Sequence, residues 1–257
     1  MNILSLGAGV QSSTLAMMAA AGEIGPMPDA AIFADTGWEP RKVHEYLDWL
    51  EKQLPFPVYR VMHKDGLLNA LKENKGVVGM PFFTSNGGMG FRRQCTREYK
   101  ITPVQNKVRE LLGYKPRQRI PVGSATVWVG ISTDEAIRMK PSQVAWIKNR
   151  WPLIEAGMSR LHCLEWFGAN QFPYPPKSSC LGCPYHSDKQ WVEIKQGDQQ
   201  EWIATVEMDK KIRERNQNSK YQEFMHRSCK PLDEVDFSMT ENQIDMFGNE
   251  CEGMCGV

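Results

Sequence analysis

The chain has 257 residues, 41% of them hydrophobic, with 31 basic and 30 acidic side chains and a net charge of +1. That length suits one α/β domain, or one with a helical appendage. The even charge balance gives no global electrostatic case for nucleic acid or an anionic membrane, and a mean hydropathy of −0.47 excludes a membrane-embedded chain. Asn2–Leu6 reads as a strand that starts almost at the first residue, so no export signal is expected. The apolar stretch 15–21 is too short to span a bilayer.

Strand and helix signals then alternate. Strand Asn2–Leu6 is followed by an Ala-, Met- and Leu-rich helix over 12–21, and a second strand over 30–34. A helix over 41–53 shows helical spacing at Val43, Tyr46, Leu47 and Leu50. A third strand over 57–62 precedes a helix over 66–73; a further helix covers 103–112 and a further strand 127–131. Such alternation predicts a doubly wound, mostly parallel sheet of Rossmann-like type. Residues 75–93 are expected to form a long Gly-rich loop. From Trp146 onward the character changes: 173–176 is extended, 188–215 is a charged helical stretch, and the tail after Pro231 is acidic. The expected division is a nucleotide-binding domain over 1–190 and a helical extension with a mobile, cysteine-bearing tail over 191–257.

The turn after the first strand reads Ser5-Leu6-Gly7-Ala8-Gly9-Val10-Gln11-Ser12-Ser13. Glycines let a backbone approach a ligand closely, and hydroxyls with N–H groups at a helix N-terminus hold phosphate oxygens. No Gly-Lys-Ser/Thr follows, so this is not a Walker loop, and a serine stands where the dinucleotide fingerprint needs its third glycine. An ordinary βα turn with a serine cap is the alternative reading. The second strand ends in Asp35-Thr36-Gly37-Trp38-Glu39-Pro40, which faces the same crevice if the sheet is parallel.

Seven cysteines occupy positions 95, 163, 180, 183, 229, 251 and 255. An odd count with no expected export signal argues against a disulfide framework and for a reducing, cytoplasmic setting. Cys180-Leu181-Gly182-Cys183 has the C-x-x-C spacing of a zinc or iron–sulfur ligand pair, a redox pair, or an unrelated pair in a turn.

Taken together, Gly9-Val10-Gln11-Ser12 and Asp35-Thr36-Gly37 resemble the PP-loop (adenine nucleotide α-hydrolase) superfamily, in its phosphoadenosine phosphosulfate (PAPS) reductase-like branch. Gly7 stands where that branch has a serine. Cys95-Thr96-Arg97-Glu98-Tyr99-Lys100 with Pro103 is similar to the family's Cys-x-x-Arg-Lys…Pro segment, with one residue inserted. Gly130-Ile131-Ser132-Thr133-Asp134-Glu135 with Arg138 sits where the family has Gly-x-Arg-x-x-Gln-Ser…Arg, with Ser132 replacing the arginine. Trp151-Pro152-Leu153-Ile154-Glu155 and Phe172-Pro173-Tyr174-Pro175 resemble two further family segments.

The resemblance implies an adenine nucleotide (ATP, APS or PAPS) held by Ser5, Gly7, Gly9, Gln11, Ser12, Ser13, Asp35, Thr36, Gly37, Gly130, Arg97, Lys100 and Arg138. It implies three of the four ligands of a [4Fe–4S] cluster, Cys95, Cys180 and Cys183. The fourth position is open, or filled by His186, Cys163, Cys229, Cys251 or Cys255; a structural zinc on Cys95, Cys180, Cys183 and His186 is the rival. The end of the chain is similar to the reductases' tail, whose thiol attacks the sulfonucleotide sulfur, which makes Cys251 or Cys255 the expected nucleophile. A thioredoxin- or glutaredoxin-type reductant would then release sulfite. The three-cysteine pattern also fits an ATP pyrophosphatase-type sulfur transferase, which would use Mg²⁺ and thiolate a nucleobase, tRNA or DNA. A third expectation is a non-catalytic nucleotide sensor. No membrane partner is expected, and a homodimer is compatible with all three.

Overall fold

The computed structural model describes residues 1–73, 79–90, 94–215 and 220–238. Cys251, Cys255, Arg92 and Arg93 lie outside the described residues. Five strands form one parallel sheet, β1 (Asn2–Leu6), β2 (Ala30–Asp35), β3 (Val58–Met62), β5 (Ala125–Val129) and β6 (Ile147–Arg150), in the order β3-β2-β1-β5-β6. A short antiparallel pair, β4 (Phe83–Thr84) with β7 (Glu223–Phe224), lies apart from it. The expected doubly wound α/β architecture is present.

A parallel sheet is covered on both faces, and the period-two alternation of its side chains divides them. Leu4, Leu6, Ala31, Phe33 and Trp128 turn to one side. There they pack with α1 (Val10–Ala20), α2 (Arg41–Glu51) and α7 (Arg160–Ala169). Their sequence neighbours Ile3, Ile32, Val127 and Val129 turn to the other, against Val104 and Val108 of α5 (Thr102–Leu111). Burial is nearly complete in both layers, each large side chain contributing about 1.5–3 kcal/mol. α1 is buried almost all round, since α7 covers the face that the sheet does not.

A third apolar cluster caps the molecule beside the β2 turn. Trp38, Leu67 and Leu71 of α3 (Leu67–Lys72), Phe82 and Tyr99 pack with Cys180 and Leu181. Trp191 of α8 (Asp188–Gln196), Trp202, Met208 and Ile212 of α9 (Gln199–Arg215), and Met225 and Leu232 complete it. The boundary expected at residue 190 thus falls inside α8, whose fully buried Trp191 shares a core with residues far up the chain.

Several element limits differ from the sequence reading. α1 begins at Val10 rather than 12, because extended Gly9 caps it from within the loop. β5 ends at Val129, two residues early, where the chain turns at Gly130. The charged stretch 188–215 is two helices, broken at Gly197 and restarted by Asp198, whose carboxylate accepts from the N–H groups of Gln200 (2.8 Å) and Glu201 (3.3 Å). β6 was not foreseen: Ile147-Lys148-Asn149-Arg150 is a four-residue edge strand with too little apolar pattern to announce itself. No helix among the described residues is long and apolar enough to cross a membrane.

Candidate functional site

In a sheet of this order the crevice opens where the connections from the central strands diverge, between β1 and β5 at their carboxyl ends. A cavity of about 650 Å³, counting its opening to solvent, lies there. Ser5, Leu6 and Gly7 bring the end of β1 to it, Phe33 and Ala34 the end of β2, Val129 and Gly130 the end of β5, and Gly9, Gln11 and Ser12 the start of α1.

The loop over α1 is held by its own groups. The Gly7 N–H donates to Ser12 Oγ (3.1 Å), and that hydroxyl donates to the Gly9 carbonyl (3.3 Å). Ala8, with φ of 55°, takes the left-handed conformation that reverses the chain. Gly9 passes so close to the 178–183 segment that a Cβ there would sit 2.7 Å from Ser178 Oγ. The positive end of the α1 dipole therefore faces the crevice.

Gln11 is fixed on both sides. Its Nε2 donates to Glu135 Oε2 (3.1 Å) and lies 3.4 Å from Ser132 Oγ, while its Oε1 accepts from Arg160 Nη1 (3.2 Å). Burial pushes the Glu135 carboxyl above its ordinary range, a larger effect than the opposing Arg138 guanidinium, with which it is ion-paired. Burial likewise lowers Arg160. Arg138 is thus engaged with Glu135 beneath the loop and is not a lining residue.

The fourth wall comes from an irregular helix. α4 (Gln94–Thr96) runs through a π-helical turn (Arg97–Ile101) into α5. The wider turn shifts the helix phase, so Tyr99 enters the third cluster and packs edge-on to His63 (4.9 Å), while Lys100 and Val104 reach the crevice. Lys100 Nζ is 3.9 Å from Glu39 Oε1. Arg97 is exposed and does not line the cavity.

The Asp-Thr-Gly turn shapes the wall more than it forms it. Asp35 Oδ1 accepts from the Gly37 N–H (2.6 Å), and Gly37 adopts φ of 75°. The buried Thr36 hydroxyl donates to Glu39 Oε1 (3.0 Å) and lies 3.2 Å from Cys180 Sγ. None of Asp35, Thr36 and Gly37 lines the cavity, and Ser13 is fully buried away from it. The turn's contribution is Glu39, which lies just beyond the Asp35-Thr36-Gly37 motif.

Cys180 and Cys183 are buried on one turn closed by Cys183 N–H to Cys180 O (3.0 Å), and Cys95 packs against the same cluster. Among the described residues no three His, Cys, Asp or Glu side chains form a ligand group. His186 is engaged elsewhere: Nε2 is 2.9 Å from the Cys180 carbonyl and Nδ1 3.2 Å from Gln190 Oε1, and burial lowers its pKa to about 4.

Cys163 does not belong to this region. It lies on α7 in the core against α1, fully buried, with its thiol pushed up to about 11 by burial. It is expected to resist iodoacetamide at pH 8 in the folded protein and to react only in denaturant, because the thiolate is the reactive form. Peptide mass mapping checks this; native alkylation of Cys163 would contradict the placement.

The residues that sequence reasoning missed carry weaker signals. Glu39 and Ser178 were visible only as neighbours of motifs, Asp35-Thr36-Gly37 and Cys180-x-x-Cys183. Phe33, Ala34, Val104 and Val129, which with Leu6 make an apolar slot, read only as core.

No protein-family model matches the chain, and no curated protein matches it in sequence. Fourteen solved chains match it in structure. One is a phosphoadenylyl-sulfate (PAPS) reductase from Candida auris, in a phosphate complex. It has 14% sequence identity and a TM-score of 0.46, over 68% of this chain and 74% of that one.

Proposed function

We propose that the crevice binds an adenine nucleotide and that the chain is an enzyme of sulfur chemistry acting next to the nucleotide's 5′-phosphate. The observation that carries this reading is the meeting, at one end of the sheet, of a helix N-terminus under a glycine loop with an apolar slot. Leu6, Phe33, Ala34, Val104 and Val129 give the crevice an apolar lining of the kind that would take a purine. Gly7, Gly9, Ser12, Gly130 and Lys100 line the same cavity and would surround the phosphates. The sequence motifs of the PAPS reductase-like branch support the same assignment.

The first reaction is reduction of a sulfonucleotide. A thiolate of Cys251 or Cys255 attacks the sulfur of APS or PAPS, the sulfur–oxygen bond breaks, and the adenosine phosphate leaves with the bonding pair. The resulting S-sulfocysteine is released as sulfite when a thioredoxin- or glutaredoxin-type dithiol attacks it. Electrons come from that dithiol, which ends as a disulfide. Asp35, Thr36 and Gly37 set the wall on which Glu39 sits, and Arg138 holds the Glu135 carboxylate that fixes Gln11.

Cys95, Cys180 and Cys183 are the residues that would hold a [4Fe–4S] cluster. Soft thiolates beside an apolar cluster suit that group in donor chemistry. Held by three protein ligands, such a cluster would supply a site for the sulfur to be transferred. The second reaction, an ATP pyrophosphatase-type sulfur transfer to a nucleobase, tRNA or DNA, is favoured by the buried carboxylate of Glu39 in the phosphate region.

The test uses anaerobically purified protein, assayed for sulfite release from PAPS and for pyrophosphate release from ATP with and without RNA or DNA. Sulfite release that is lost in Cys251→Ser or Cys255→Ser supports the reductase. Pyrophosphate release that depends on nucleic acid sinks it in favour of the transferase. Failure to bind any adenine nucleotide overturns the reading of the crevice itself.

A further inference from the structure

Two polar atoms in the crevice walls are buried and make no hydrogen bond among the described residues, Oε2 of Glu39 and Oγ of Ser178. The Glu39 side chain is only 3% exposed. Its other oxygen is fully used: Oε1 accepts from Thr36 Oγ1 (3.0 Å), lies 3.5 Å from Cys180 Sγ and 3.9 Å from Lys100 Nζ. A desolvated carboxylate oxygen without a partner is costly, more so than a neutral group. Lys100 approaches the carboxylate at Oε1, and Oε2 makes no hydrogen bond among the described residues.

A phosphate chain entering the same crevice would bring further negative charge toward Glu39. Repulsion between the two is relieved if a cation arrives with the ligand. Magnesium suits the position, since it is commonly held by one or two carboxylates together with substrate phosphates and retained waters, without an all-protein cage. Such a site needs only one carboxylate from the chain, so it does not require a cluster of three protein ligands. Ser178 Oγ, close to Gly9 and without a hydrogen bond among the described residues, would be a hydroxyl donor to such a phosphate.

We infer that Glu39 is the protein ligand of a divalent cation that enters with the phosphates of the nucleotide, so that the crevice takes a metal–nucleoside triphosphate. This rests on the nucleotide reading of the crevice and selects the second of the two reactions above.

Binding decides it without any turnover. ATP titrated calorimetrically into the wild-type protein should bind more tightly with Mg²⁺ than with EDTA, by roughly tenfold or more, the usual size of coupling between two ligands of one site. Glu39→Gln keeps the shape and the Oε1 acceptor, and should erase that difference. It should also bind metal-free ATP better than wild type does, because a negative charge has gone; a merely structural role for Glu39 predicts weaker binding in both conditions. Mn²⁺ should give an immobilised electron paramagnetic resonance signal with wild-type protein and ATP, and lose it with Glu39→Gln of unchanged melting temperature. Magnesium-independent ATP binding by wild type, or a metal effect retained in Glu39→Gln, overturns the inference. Absence of ATP binding under every condition overturns the nucleotide reading instead.

Discussion

Gly130→Ala is expected to abolish nucleotide binding at concentrations that saturate the wild type, while the protein still folds. A Cβ at position 130 would lie 2.8 Å from both the Cα and the N of Ser12 and 3.1 Å from the carbonyl carbon of Gln11. All three are backbone atoms of the first turn of α1, so no rotamer change relieves the contact. The strand end and the helix start must separate, and Gly7, Gly9 and Ser12 move with the helix. Overpacking of this kind costs about 1–3 kcal/mol, which in a chain of this size corresponds to a fall in Tm of roughly 2–4 °C for each kcal/mol. Binding suffers more than stability does, because phosphate contacts from backbone N–H groups depend on small displacements. Equilibrium binding of ATP and PAPS, beside thermal melting, tests this. Unchanged affinity for both would mean that the loop over α1 is not the phosphate site.

That same contact marks where sequence reading succeeds and where it stops. Gly130 was expected at the site because its motif resembles a family pattern, yet the pattern does not say why glycine is needed. The reason is three-dimensional: β5 and β1 are adjacent in the sheet, so the end of β5 falls directly against the start of α1. The sheet itself was legible, because Ile3 and Leu4, or Ile32 and Phe33, are apolar on both faces, as a doubly covered parallel sheet requires. β6 was not, since this edge strand buries only Ile147 and Asn149, with the charged Lys148 between them and Arg150 after them.

In the site, the loop glycines and serines were readable from local chemistry, but the residues that anchor Gln11 were not. Glu135 and Arg160 reach it across 124 and 149 positions of sequence, and neither has a periodic or spacing signal. Arg138 was expected to hold the ligand because it matches the last arginine of the family segment that begins at Gly130. Its guanidinium faces Glu135, a carboxylate three residues before it on the same helical turn, and that pairing outcompetes an outward position. Glu39 lay hidden for the opposite reason. Within Asp-Thr-Gly-Trp-Glu-Pro the exposed-looking residue is the buried one: Trp38 anchors in the third cluster, and the turn rolls the Glu39 side chain inward.

Trp38 also sets the other large expected effect. Gly182→Ala should detach the cysteine turn from the β2 turn and lower stability at the upper end of the ~1–3 kcal/mol typical of overpacking. A Cβ at 182 would lie 2.0 Å from the tip of the Trp38 indole and within 2.6 Å of two neighbouring ring atoms. The indole is 3% exposed and held in the cluster of Leu67, Leu71, Phe82 and Trp191, so it has nowhere to swing. The turn must therefore move, which breaks the Leu181 N–H bond to the Trp38 carbonyl (2.9 Å) and withdraws Cys180 from Thr36. Urea unfolding should show the midpoint fall with an unchanged slope. A double-mutant cycle with Trp38→Leu separates the cause: if the clash with the ring is responsible, Gly182→Ala costs much less in the Trp38→Leu background. Additive costs would refute the contact as the cause. Because Gly182 lies between Cys180 and Cys183, the same variant should lose any metal that those thiols hold, read by iron and zinc content of the anaerobic protein. Retained stoichiometric metal would show that the cysteine turn does not need its seat on Trp38 to bind.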